Sequence, residues 1–353
     1  MIFLLHVLSI ILHLHPTSST SISTPPTPLI ISQSTIFTIS DHVRPWKLTD
    51  DASPPRWSDL SDDERKDFTR DHLIKVEESM FVDDSGTSTK GTHYAYDERY
   101  VNNLLRSAVD LASFVILHGA FRGARLHSRK HRLPPPKESE VWLLEGLAKF
   151  LPTRKNASVL VIGSMSPWHE VLCLAFGATQ VHTLEYNELT YEHSQLETFT
   201  PKEFWSKEKI GNGDGGANDY DFILSISSFD HDGLGRYGDP ISPDGDLLTM
   251  QRIHQSTFMT NTTKLFVTVP VGQDLLAWNL MRVYGRVRLP MFLQNFNVVE
   301  KYGYDDGRVN QEFGGNSNFR QTYEPVFVLE KKRKDEVEDE ETMENVERKE
   351  MEL

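Results

Sequence analysis

Ser158 to Asn187 reads SVLVIGSMSPWHEVLCLAFGATQVHTLEYN, and the fold is decided there. Val159 to Ile162 is an unbroken aliphatic run, which is how a parallel strand buried on both faces reads. Gly163 ends it. Ser166 is the expected N-cap and Pro167 the expected first residue of a helix that Gly177 stops. A second strand follows, Val181 to Glu185. Strand, tight loop, helix and strand within about 30 residues make one βαβ unit, with a right-handed crossover. In such a unit the small-residue loop and helix N-terminus face a ligand, and an acidic residue closing the second strand can bind a ribose hydroxyl. Gly163, Ser164 and Ser166 are therefore the candidate cofactor loop, and Glu185 is the candidate ribose ligand. Trp168 either walls that pocket or fills space under the elements that precede it.

The chain has 353 residues, with 37 Lys and Arg against 51 Asp and Glu, a net charge of -14. That balance argues against a broad nucleic-acid-binding face, with Arg122 to Arg132 the local basic exception. At 38% hydrophobic and 10% aromatic, the composition supports a real core in one large or two modest domains. Cys173 is the single cysteine and cannot form an intrachain disulfide, so it reads as buried apolar filler.

Residues 1–16 are apolar from Ile2 to Leu14 apart from His6, Ser9 and His13. The run is short for a membrane span, which takes about 20 residues, and suits a signal peptide or a signal-anchor. Residues 17–56 are rich in Ser, Thr and Pro and read as a flexible segment. Two sequons, at Asn156 and Asn261, fit a glycoprotein of the secretory pathway, in the lumen, secreted or anchored through its N-terminus.

Residues 57–150 read as an N-terminal helical extension. Ser61 and Glu64 form a capping box that predicts a helix to Met80. Helical spacing from Val101 to Ile116 predicts a second helix, ended by Gly119. Arg122 to Lys137, with three successive prolines, reads as an extended connector before a helix over Ser139 to Phe150. Residues 151–330 form the α/β domain. Within it Leu189 to Glu197 is expected as helix, Pro201 to Trp205 as a short third strand, and Gly211 to Gly216 as a loop. Tyr220 to Ser227 and Lys264 to Val269 are further strands, with a helix from Gly245 to Phe258 between them. Phe296 to Lys301 and Pro325 to Lys331 read as an antiparallel edge pair. Residues 331–353 mix basic and acidic side chains in a solvated tail.

Chemistry concentrates after the fourth strand, in SSFDHDGLGRYGDPISPDGDL, Ser227 to Leu247. Ligands in open α/β sheets sit outside the carboxyl ends of the strands, so this loop falls beside Gly163, and Ser227 joins the candidate cofactor residues. His231 is a candidate general base, Asp230 or Asp232 its orienting carboxylate, and Arg236 an anion holder. Asp230, His231 and Asp232 can alternatively bind a hard divalent cation, or the loop can simply be tied together by its own Asp side chains.

Both quoted blocks resemble the signature blocks of DUF268, a family of uncharacterised proteins well represented in nematodes. The resemblance covers roughly Val141 to Leu329. The βαβ unit, the acidic end of the second strand and the terminal hairpin are in turn similar to class I S-adenosylmethionine-dependent methyltransferases. That similarity implies a Rossmann-like three-layer α/β sandwich with a mostly parallel seven-stranded sheet, order 3-2-1-4-5-7-6, and an antiparallel edge hairpin. It also implies S-adenosylmethionine as cofactor, with Glu185 facing its ribose. The chain departs from the methyltransferase pattern at Gly163-Ser164-Met165-Ser166-Pro167, which has one glycine where the usual loop has two or three. Three functions follow as expectations. The first is methyl transfer to a small-molecule or glycan hydroxyl, the second a non-catalytic binding module on the same fold. The third is a metal-dependent nucleotide-sugar glycosyltransferase using Asp230-His231-Asp232.

Overall fold

Parallel pairing on both sides of the Val159 to Ile162 run sets the architecture of the computed structural model, which describes residues 43–45, 53–83, 94–210, 219–309 and 322–333. Residues 1–16, nearly all of 17–56, the glycine-rich 211–216 and most of 331–353 lie outside the described residues. The sheet has seven strands: β1 (Ala157–Ile162), β2 (Ala178–Leu184), β3 (Leu196–Phe199), β4 (Phe222–Ile226), β5 (Lys264–Thr268), β6 (Phe296–Tyr302) and β7 (Val326–Lys331). Their order is 3-2-1-4-5-7-6. Neighbours among β1 to β5 run parallel, and β7 runs antiparallel to both β5 and β6. Val161 pairs with Thr183 on one side and Leu224 on the other, so the aliphatic run is the centre of the sheet. This is the Rossmann-like fold that the sequence implies.

Alternation along the strands supplies two cores, one on each face. Among the described residues the helices are α1 (Asp62–Thr69), α2 (Glu98–His118), α3 (Ala120–His131), α4 (Glu138–Phe150), α5 (Trp168–Ala175), α6 (Pro201–Ile210), α7 (Gly245–Gln255), α8 (Arg288–Leu293) and the single turn α9 (Asp306–Val309). Val159 and Val161 pack with Leu111, Val115, Leu147 and Val171, so α2, α4 and α5 lie on one face. Leu160, Ile223 and Leu265 pack with Leu247, Met250 and Phe292, so α7 and α8 lie on the other. Cys173 is fully buried in the first core, the filler that its composition suggested. Leu60, Phe68, Leu276 and Trp278 form a smaller third core. It clamps the start of the described chain to a ribbon in which Lys75–Glu77 runs parallel to Leu275–Ala277, itself antiparallel to Met281–Val283. Among the described residues no helix is long and apolar enough to cross a membrane.

Five local expectations are corrected. The capping box at Ser61 forms, but α1 stops at Thr69 because Arg70, Asp71 and His72 all take positive φ, and the next residues find a strand partner instead of reaching Met80 as helix. Arg122 to His131 is helical, and the chain extends only after Arg132. The buried face of α3 is Gly123, Ala124, His127 and Ser128, too small and polar to register as apolar periodicity. The N-cap of α5 is Pro167 and not Ser166. Leu189 to Glu197 is not helix: Leu189–Tyr191 pairs parallel with Tyr94–Tyr96, and β3 begins at Leu196. Pro201 to Trp205 opens α6 and is not a strand, since Thr200 and Glu203 make a reciprocal capping box.

Candidate functional site

The carboxyl ends of β1, β2 and β4 open onto a cleft of about 360 Å³. Gly163 enters it with φ 76°, and a Cβ there would overlap the Ser228 side chain, so only glycine lets the loops after β1 and β4 touch. The loop after β1 is held from behind. Tyr191 donates to the Ser164 carbonyl at 3.0 Å and Tyr96 to the Met165 carbonyl at 3.1 Å. The Ser164 hydroxyl donates to Glu170 at 3.2 Å, and Thr183 donates to the other Glu170 oxygen at 2.8 Å. Burial pushes the Glu170 carboxyl up to about 7, against the pull of those two hydroxyls. Ser164 is thus turned inward, Ser166 offers its carbonyl to Ser164 and to Trp168, and Trp168 packs on the first core. None of these three lines the cleft, whereas Gly163 and Met165 do.

Glu185 leaves the end of β2 into the cleft. Its Oε1 accepts from the Asn187 amide at 3.2 Å and from Asn187 Nδ2 at 3.1 Å. Burial raises its carboxyl above the ordinary range, partly offset by those bonds. Asn187 is 4% exposed and its Oδ1 has no hydrogen-bond partner. A buried acceptor without a donor is rare in folded proteins and marks a place where one is missing. Between them Tyr186 stands 56% exposed at the cleft wall. Ser227, at the end of β4, takes φ 52°, a strained state for a non-glycine residue. It is pinned there by donating its N–H to Thr268 and its hydroxyl to Glu324.

The predicted catalytic residues separate. His231 and Asp232 line the cleft; Asp230 and Arg236 do not. His231 Nδ1 lies 2.6 Å from the Leu280 carbonyl and so carries the proton, leaving Nε2 to face Asp230 Oδ2 at 3.5 Å. Asp230 is 1% exposed and neither carboxylate oxygen has a hydrogen-bond partner. Burial pushes it up to about 6, with His231 pulling the other way. Asp232 accepts from the Thr249 hydroxyl at 2.8 Å, and burial raises its carboxyl well above the usual range. Arg236 lies over the Tyr237 ring, 4.9 Å from its centroid.

The rest of the loop is scaffold. Asp239 accepts from the amides of Gly233, Gly235 and Tyr237, the self-tied arrangement weighed from the sequence. Asp244 and Asp246 are fully buried against Arg70 and Arg288, and Tyr284 donates to Asp246 at 2.7 Å. Arg282 reaches the carbonyls of Ser242 and Pro243. Among the described residues the ligating atoms of Asp230, His231 and Asp232 do not come together as a cation site. The residues that sequence reasoning missed are Asn187, Tyr186, Trp205, Thr249 and Arg252. Arg252 lies 3.7 Å over the Trp205 ring. The first two adjoin Glu185 and were open to the same reasoning; the others reach the cleft from α6 and α7, which no local pattern announces.

Residues 156–328 match the DUF268 family. Its description is a Caenorhabditis protein of unknown function. The DUF268 segment runs from the start of β1 into β7, so sheet and cleft belong to it, while α1 to α4 precede it. No curated protein matches the chain. Solved structures similar to it include a chain of the Haloferax volcanii complex containing the Trm112 methyltransferase activator, with 11% identity, 64% of this chain and 96% of that one covered, TM-score 0.34. An S-adenosylmethionine-dependent methyltransferase from Mesorhizobium loti is 8% identical, over 53% of this chain and 97% of its own, TM-score 0.33. The [4+2]-cyclase SpnF is 10% identical, over 67% and 98%, TM-score 0.34. Solved structures similar to this chain thus include methyltransferases and a cyclase, and likeness at this level says nothing of activity.

Proposed function

We propose that the cleft binds S-adenosylmethionine and that the protein transfers its methyl group to a hydroxyl of a small molecule, a sugar or a glycan. The observation that carries this reading is the pair at the end of β2: the Glu185 carboxylate and the unpartnered Asn187 amide oxygen, both acceptors, in a cleft that begins at Gly163. Ribose hydroxyls and an adenine amine are donors of the kind this pair lacks, and the exposed Tyr186 ring beside it suits a base face. When bound, S-adenosylmethionine would supply an electrophilic methyl group. The chain's own part is to position the acceptor and take its proton. Asp232 fits that role better than His231, because its raised carboxyl lies in the cleft wall with Thr249 orienting it, whereas His231 has one nitrogen on Leu280 and the other toward Asp230.

The Leu280 carbonyl that holds His231 Nδ1 also favours a second reading, a binding module that holds the nucleoside without turnover. A secretory setting remains part of the proposal.

Thermal denaturation of the full chain separates these readings. S-adenosylhomocysteine raises Tm, and Glu185→Ala diminishes the shift, since losing a hydrogen bond to a charged group costs about 1.5 to 3 kcal/mol. Equal shifts in both proteins would remove Glu185 from the site. Asp232→Asn keeps the shift and abolishes methyl transfer to glycan acceptors; in a binding module the wild type transfers nothing either. A nucleotide sugar that stabilises only with manganese would instead support the glycosyltransferase.

A further inference from the structure

A second cluster of ligating side chains lies on the α2–α3 hairpin and shares no residue with the cleft. Gly119 reverses the chain with φ 79°, and Gly123 brings α3 against the backbone of Phe114 and Val115. This register sets Asp110 of α2 opposite His127 and His131, which stand one turn apart on the same face of α3. Asp110 Oδ2 lies 2.6 Å from His131 Nε2 and 3.9 Å from His127 Nε2. One ligand atom from each of the three falls within 4.8 Å of the others.

His127 makes the cluster more than a surface ion pair. Its ring is 3% exposed, yet Nε2 has no hydrogen-bond partner. The ring is oriented by a bond to the Ser107 carbonyl, the outer partner that metal-binding histidines ordinarily have. We propose that Asp110, His127 and His131 bind a zinc ion, with water completing the coordination. Two imidazoles and one carboxylate suit zinc, whereas calcium and magnesium prefer oxygen ligands throughout. Zinc bonds of about 2.0 to 2.2 Å in a tetrahedron place ligand atoms about 3.3 Å apart. The shorter Asp110 contact has only to open and the longer one to close, each by less than the reach of a rotamer adjustment. Asp110 and His131 are partly exposed, so the adjustment displaces no core side chain.

Lys130 is the competitor, with Nζ 2.8 Å from Asp110 Oδ1 and 2.9 Å from Oδ2. It also lies over the Phe114 ring at 5.3 Å, a contact it keeps when zinc takes the carboxylate.

The test is calorimetric titration of chelator-treated full chain, free of any histidine tag, with zinc chloride. One ion binds per chain. His131→Ala and Asp110→Asn, both at partly exposed positions and checked for an unchanged melting curve, each weaken that binding about tenfold or more. His118→Ala, an exposed position on α2 outside the cluster, leaves it unchanged. Cobalt in place of zinc gives the visible absorption of a four-coordinate site, and His131→Ala removes it. No stoichiometric binding by the wild type, or wild-type affinity in both cluster variants, overturns the assignment.

Discussion

Asp246 shows how one residue of the signature block is spent on shape. It is fully buried, receives the Arg288 guanidinium on both oxygens and the Tyr284 hydroxyl on one, and stands 3.7 Å from Arg282. Burial alone would raise its carboxyl, but Arg288 and Arg282 outweigh burial and hold it down at about 2. Asp246→Asn leaves buried guanidinium groups short of a counter-charge, and chemical denaturation is expected to show a loss of about 3 to 5 kcal/mol. Because the folded value is depressed, this stabilisation is present above the ordinary carboxylate range. It disappears as pH falls from near 3.8 through about 2, a dependence that the Asn variant lacks. From sequence, Asp244 and Asp246 gave no such sign, since their partners Arg70, Arg282 and Arg288 lie far off in the chain. Glu185 was legible because its place, closing the second strand of a βαβ unit, is local. Asn187 and Asp232 needed the folded cleft to be told apart from Ser164 and Arg236.

Elements were legible where apolar periodicity ran uninterrupted. β1, β4, β5 and α2 follow their hydrophobic patterns to within a few residues. α3 was not legible, because its contact with α2 is made by Gly123, Ala124, His127 and Ser128, and three prolines just beyond it drew the reading toward an extended chain. The closeness of the two helices carries its own prediction. A Cβ at Gly123 would meet the Phe114 carbonyl oxygen at 2.5 Å, a backbone atom that cannot swing aside. Gly123→Ala should therefore destabilise by about 1 to 3 kcal/mol in urea unfolding, the range for overpacking, although alanine is the better helix former. An unchanged midpoint would mean that the hairpin is not packed this closely. β3 was misplaced for a related reason: four residues of mixed polarity at the edge of the sheet carry little pattern, and the capping box at Thr200 was the better guide.

At the scale of the molecule, the strand order 3-2-1-4-5-7-6 puts Gly163, Glu185 and Ser227 along one edge and the residues before β1 and β5 along the other. Asn156 and Asn261 are both exposed at that second edge, so glycans there would stand away from the cleft. Of the two, Asn156 is the stronger candidate, because Thr263 of the other sequon is already explained by its bond to the Tyr220 carbonyl. If the chain travels the secretory pathway, N-glycanase should increase its gel mobility, and Asn156→Gln should remove most of that change. An unmodified protein would count against the luminal setting without touching the cleft. The claim about the cleft is met most directly by calorimetric titration of S-adenosylhomocysteine into the full chain. The account predicts one molecule bound per chain and an affinity about tenfold or more weaker in both Glu185→Ala and Asn187→Ala. Absence of binding, or equal affinity in all three proteins, would contradict it.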